Sequence, residues 1–181
     1  MTIYLIGFMG SGKSYTAAAL ADFMQRPHVD LDEIIEREEA RSISDIFAQD
    51  GEPAFRDMET AYLHTLTDPD LIVATGGGAP CFNDNMSWMN QRGITVFLDP
   101  SLEILVERLT AGRDHRPLLQ EANELREIIT EKLELRRPIY ELARIHLAYD
   151  DHASPIVPVL AQSIENILQH TEPTPEGRSS T

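Results

Sequence analysis

Gly7-Phe8-Met9-Gly10-Ser11-Gly12-Lys13-Ser14 fits the phosphate-cradling pattern G-x-x-x-x-G-K-[ST]. The residues on either side supply the context that the pattern requires. Thr2-Ile3-Tyr4-Leu5-Ile6 is short, apolar and β-prone, and residues 15–24 carry helix formers with apolar residues at helical spacing. A strand running through a glycine loop into a helix aims backbone N–H groups at one point, where the helix dipole adds partial positive charge. Gly7, Gly10 and Gly12 permit the tight turn and leave room for phosphate oxygens against the backbone. In that frame Lys13 reaches the β- and γ-phosphates, and the Ser14 hydroxyl ligates Mg²⁺. The segment predicts a nucleoside triphosphate site.

Outward from this loop, strand-like runs recur near 3–6, 28–30, 71–75, 94–98 and 145–149. Helical patterns fall between them, near 14–24, 31–39, 44–49, 54–66, 84–91, 101–110, 121–136 and 155–169. Alternating strands and helices predict an α/β fold with a parallel sheet covered on both faces. Ligands of such sheets gather at the carboxyl ends of the strands. The polar residues with chemistry to offer do follow the apolar runs: 7–14 after the first, Asp30 and Asp32 after the second, and Gly76, Gly77 and Gly78 after the third. No repeat or linker interrupts the pattern, so 1–170 reads as a single domain. The tail 171–181, with Pro173, Pro175 and Gly177, is expected to be disordered.

Composition narrows the function. Thirty acidic residues against 15 basic ones give a net charge of −15, which disfavours nucleic-acid binding. No apolar stretch approaches the length of a membrane span, and a chain that starts directly on a strand is expected to carry no signal peptide. The single cysteine, Cys81, excludes an internal disulfide and fits a reducing, cytoplasmic location. So acidic a protein repels anionic substrates at long range. Any phosphate or carboxylate site must therefore depend on a few well-placed arginines.

Four further segments carry chemistry. Asp30-Leu31-Asp32 ends a strand and opens a helix, with two carboxylates projecting the same way from an extended segment. One could hold Mg²⁺ through water and the other accept a proton from a hydroxyl; helix capping is the competing reading. In Phe55-Arg56-Asp57-Met58-Glu59, Arg56 and Glu59 stand one helical turn apart, so Glu59 orients a guanidinium or forms a simple surface ion pair. The strand 72–75 runs into Gly76, Gly77 and Gly78, more glycine than a turn needs, which predicts backbone approaching a ligand. Gly112-Arg113-Asp114-His115-Arg116-Pro117-Leu118-Leu119 reads as a mobile basic segment that closes over phosphates. Finally, Arg136-Arg137-Pro138-Ile139-Tyr140 offers two guanidiniums where a helix is expected to break at proline.

The ordered set resembles the shikimate kinases: P-loop, D-x-D, G-E-x-x-F-R-x-x-E, G-G-G, R-P-L-L and R-x-P-x-Y, over roughly residues 2–169. The resemblance implies a three-layer α/β/α P-loop kinase whose five-stranded parallel sheet has the order 2-3-1-4-5. It also implies a substrate-binding helical region near 31–62 and a lid near 111–122. The implied reaction is ATP-dependent phosphorylation of the shikimate 3-hydroxyl with Mg²⁺ as cofactor, in a cytoplasmic monomer free of nucleic acid and membrane. Position by position, Lys13, Asp32 and Arg116 would be catalytic, with Asp32 contacting the hydroxyl and Arg116 arriving with the lid. Gly10, Ser11, Gly12, Lys13, Ser14 and Tyr15 would hold the phosphates, and Arg108 and Pro155 would lie near the adenine. Ser14, with Asp30 through water, would hold the metal. Arg56 and Arg136 would grip the carboxylate, with Gly76, Gly77 and Gly78 along the ring.

Three departures stand out: Tyr15 replaces the usual second hydroxyl residue, and Ala17 and Ala40 replace usual glycines. Tyr15 is expected to lose an α-phosphate contact, Ala17 to alter helix packing and Ala40 to alter its turn. A gluconate kinase would share the P-loop without the F-R-x-x-E and G-G-G blocks, and a non-catalytic sensor would lack Lys13, Asp32 or Arg116.

Overall fold

The computed structural model describes residues 1–111, 119–150 and 156–171, with the side chains of 119–122 and 171 left aside. Its strands are β1 (Thr2–Ile6), β2 (His28–Asp30), β3 (Ile72–Ala74), β4 (Gly93–Pro100) and β5 (Ile145–Tyr149). Its helices are α1 (Lys13–Met24), α2 (Leu31–Glu39), α3 (Ile43–Thr65), α4 (Asn85–Arg92), α5 (Leu102–Ala111), α6 (Leu119–Tyr140) and α7 (Ile156–Thr171).

Alternation along β1 decides the layering. Ile3 and Leu5 face one side, packing with Ala17 and Leu20 of α1 and Leu160 and Ile164 of α7. Tyr4 and Ile6 face the other, with Leu31 and Ile35 of α2, Leu63 of α3, Met89 of α4 and Leu133 of α6. All five β1 residues are buried, as a central parallel strand with both faces covered must be. The sheet is parallel throughout, in the order β2-β3-β1-β4-β5, with Ile3 between Ile72 and Ile94. This is the expected order. The carboxyl ends of β1, β2 and β3 therefore sit side by side, and the segments that leave them form one rim.

Helix boundaries follow local chemistry. The Ser42 hydroxyl caps α3 by accepting from the Asp45 N–H at 3.1 Å. Gly51, at φ +81, kinks α3 just ahead of Pro53, at the break expected between 49 and 54. The expected break at Pro138 does not occur, and α6 continues to Tyr140. Proline so near the helix end forfeits one hydrogen bond only, and the Glu141 N–H still reaches the Arg137 carbonyl at 2.9 Å. At the end of α2, Ala40 takes the left-handed conformation (φ +51) that glycine adopts without a Cβ penalty. Alanine is strained in this turn. Ala17 is fully buried between α1 and the sheet.

Among the described residues no helix is long and apolar enough to cross a membrane. Most of the expected lid, including Arg116, lies outside the described residues, as do Pro155 and the tail 172–181.

Candidate active site

Backbone builds the first half of the site. Gly12, at φ +82, turns the loop into α1, a conformation that L side chains rarely adopt. Lys13 is buried, and its ammonium donates to the Gly7 carbonyl at 3.0 Å and the Phe8 carbonyl at 2.9 Å. Burial pushes its pKa down to about 8, opposed by the nearby carboxylates of Asp32 and Asp30. The loop is also pinned from outside. The Tyr149 hydroxyl donates to the Ser11 carbonyl at 2.7 Å, and Arg108 donates to the Gly10 carbonyl at 3.1 Å. Gly10, Gly12, Lys13, Ser14, Tyr15 and Arg108 line a cavity of about 490 Å³.

Asp30 serves two neighbours at once. One carboxylate oxygen caps α2 by accepting from the Asp32 N–H at 2.9 Å, and the other accepts from the Ser14 hydroxyl at 2.5 Å. The capping and metal-side readings are thus compatible. Asp32 lies in the first turn of α2 and not in an extended segment, so helix geometry aims it, not strand alternation. Burial raises its carboxyl above the ordinary range, and the charge of Asp30 raises it further.

Side chains build the second half. Arg56 and Glu59 form an ion pair of 2.8 Å that is almost wholly buried, and Glu52 accepts from the same guanidinium at 2.9 Å. The surface-pair reading of Arg56 is therefore corrected: Phe47, Phe55 and Phe82 wall the guanidinium in. Burial pushes the Glu59 carboxyl up to about 7, with Arg56 working against it. Its Oε1 is buried and has no hydrogen-bond partner among the described residues.

Gly76 and Gly78 make room for these side chains, and Gly77 lies against the backbone of the P-loop. A Cβ on Gly76 would stand 2.2 Å from Glu59 Oε1 and 2.9 Å from Asp32 Oδ1, and one on Gly78 would stand 2.6 Å from the Arg56 guanidinium. The sequence reading had the backbone approaching a ligand; the geometry adds that the site's own charged groups occupy that space. From α6, Arg136 reaches the same cleft with its guanidinium 5.8 Å from the Phe8 ring, and it forms no ion pair among the described residues. Asp32, Arg56, Glu59, the glycine trio and Arg136 enclose a cavity of about 200 Å³. Its charges and Lys13 act on one another: Asp32, Arg136 and Glu59 all shift the lysine.

The model of the family described as shikimate kinase matches residues 9–172. The chain belongs to the shikimate kinase family. A shikimate kinase of Parabacteroides distasonis is 43% identical over 146 residues, 79% of this chain and 84% of that protein. The crystal structure of the Bacteroides thetaiotaomicron shikimate kinase superposes with a TM-score of 0.82 at 35% identity, covering 93% of this chain and 98% of that one. A shikimate kinase from Acinetobacter baumannii, solved in complex with shikimate, gives 0.75 at 32% identity, covering 96% and 95%.

Of the residues expected from sequence, one cavity brings together Asp32, Arg56, Arg136 and the glycine trio, and a second holds Lys13 and Ser14, with Asp30 bonded to Ser14. Arg108 is placed against the Gly10 carbonyl of the P-loop. Tyr15 is 80% exposed at the mouth of the phosphate cavity. Sequence reasoning missed Tyr149, whose hydroxyl tethers the loop, and Glu52 as a second partner of Arg56. Nothing in a strand's last residue signals a tether to a loop 138 residues away.

Proposed function

We propose that this chain transfers the γ-phosphoryl group of ATP to the 3-hydroxyl of shikimate. One observation carries the reading: the half-buried carboxylate of Asp32 shares one cavity with the guanidiniums of Arg56 and Arg136, and it lies close enough to the P-loop lysine for their charges to act on each other. A small cyclic acid needs cations for its carboxylate and an acceptor for its reacting hydroxyl, in reach of the triphosphate. Arg136 supplies a guanidinium without a competing carboxylate among the described residues, and Arg56 one held by Glu59 and Glu52. The hydroxyl oxygen attacks the γ-phosphorus, the bond to the ADP oxygen breaks, and the proton passes to Asp32. Catalysis rests on positioning and charge neutralisation. Lys13 exchanges its carbonyl partners for phosphate oxygens, and its ammonium meets the charge that develops there.

Mg²⁺ fits the donors at Ser14 and Asp30, a hydroxyl and a carboxylate joined at the end of β2. The ion would be held mainly by phosphates and water. When bound, it would neutralise phosphate charge. Gly10, Ser11, Gly12 and Tyr15 would contribute backbone donors to the phosphates. The backbone of Gly76, Gly77 and Gly78 would flank the ring, and Arg108 and Pro155 would flank the adenine. Arg116 keeps the lid role that its motif assigns. The working form is taken to be a cytoplasmic monomer.

An ADP-release assay with shikimate, quinate and gluconate at matched concentrations tests the assignment. Turnover is expected with shikimate and not with gluconate. Tight shikimate binding without ADP would instead mark a sensor. Arg136→Ala should raise the KM for shikimate roughly 10- to 100-fold, the scale of hydrogen bonds to charged groups, with little change for ATP. Equal changes in both would misplace the carboxylate grip.

A further inference from the structure

Arg137, beside the proposed carboxylate-binding Arg136, is engaged elsewhere. Its two terminal nitrogens donate to the two oxygens of Asp99 on β4, at 2.7 and 2.9 Å. This is the bidentate geometry in which a guanidinium loses its rotational freedom. Asp99 is only 10% exposed at its side chain, and its Oδ2 also pairs with His146 of β5 at 2.8 Å. Phe97 of β4 lies beneath the group, stacked on His146 at 4.8 Å, 5.7 Å from the Arg137 guanidinium and 5.1 Å from the Tyr140 ring. Tyr140 is four residues after Arg136 on the same helix face, and its buried hydroxyl donates to the Gly77 carbonyl. The last turn of α6 is thus tied to the sheet through Arg137 and to the glycine loop through Tyr140. Arg136 directly precedes the first tie and shares a helix face with the second.

Neighbouring helical residues diverge by about 100° around the axis. A grip on residue 137 therefore sets where residue 136 points. We propose that Arg137, through its bidentate pair with Asp99, is a positioning residue: it fixes the rotation of the last turn of α6 and so aims Arg136 into the substrate cleft. The inference rests on the proposed role of Arg136. It goes beyond that role by assigning a function to the second guanidinium of the motif.

A double-mutant cycle separates positioning from mere stabilisation. The variants are Arg137→Met, Arg136→Ala and their combination, with Asp99→Asn as a volume-preserving second route to the same pair. Each is assayed for kcat and for both KM values at a temperature well below its own Tm. Arg137→Met should raise the shikimate KM roughly five- to tenfold, leaving the ATP KM and kcat within about twofold. Asp99→Asn should move the same parameter in the same direction. In the Arg136→Ala background the effect of Arg137→Met should shrink below about twofold, because the group it positions is gone. An unchanged shikimate KM, parallel changes in both KM values, or an undiminished effect in that background would each overturn the proposal. If Arg136→Ala itself leaves the shikimate KM unaltered, the site reading fails with it. If Arg136→Ala raises that KM and Arg137→Met does not, the positioning inference fails alone.

Discussion

The proposed phosphate half of the site comes from eight consecutive residues, 7–14, and the proposed acid-binding half from separate stretches of α2, α3, α6 and the loop after β3. The first half is made of backbone, with one ammonium added. Its donors are oriented by the chain path, and neighbours such as Tyr149 and Arg108 only steady that path. The second half is made of charged side chains, several of them buried, whose directions depend on one another. Arg56 is held by Glu59, and both need the space that Gly76 and Gly78 leave empty. A binding site drawn from backbone tolerates sequence change so long as the turn forms. One drawn from buried charges depends on every partner and on every gap between them.

Removing the one ammonium is the hardest test of the backbone half. Lys13→Ala should lower kcat by at least 100-fold, the scale of deleting a preorganised charge at a reacting group, measured by ADP release at saturating substrates. Near-normal turnover would mean that the backbone alone suffices. The matching test of the other half is Gly76→Ala, whose Cβ would stand 2.2 Å from Glu59 Oε1. Shikimate binding should fall at least tenfold, the scale of disrupting one charged contact, while nucleotide affinity read by fluorescence titration stays near wild type. A loss of both affinities would show that the halves are not independently built.

The buried charge of Glu59 sharpens the contrast through pH. Its folded pKa of about 7 lies above the ordinary 4.5, because burial disfavours the carboxylate. Between those values the folded state binds more protons than the unfolded one, so this group's contribution to stability is present below pH 4.5 and lost as pH rises through 7. Glu59→Gln should therefore flatten the fall of Tm across that window; identical pH profiles would place the titration elsewhere. The smallest effect concerns a residue outside both halves. Ala40→Gly should relieve the left-handed strain at φ +51 and stabilise the fold by about 1 kcal/mol, a Tm gain of roughly 2–4 °C with unchanged kinetics. A loss of stability would mean that the alanine methyl makes packing contacts worth more than the strain.

Much of this molecule was legible before any coordinates. The P-loop, the strand–helix alternation and the spacing of the charged motifs are local, because hydrogen bonds to near neighbours and alternating burial dictate them. They led to the α/β class and to the family resemblance, and that resemblance supplied the sheet order and the short list of proposed site residues. The kink at Gly51 was legible for the same reason, since glycine and proline act on their own backbone. The break expected at Pro138 was not borne out, because its position near the helix end and the tie from Tyr140 to Gly77 outweigh one missing donor.

Only tertiary structure decided what the side chains do. No spacing rule says that Glu59 is buried against Gly76, that Arg56 is walled by three aromatic rings, or that Arg137 turns away from Arg136 to meet Asp99. Those facts depend on which distant segments share a space and how much water remains between them. A charge shows its type in the sequence, but its partner and its solvation are set by the packed fold.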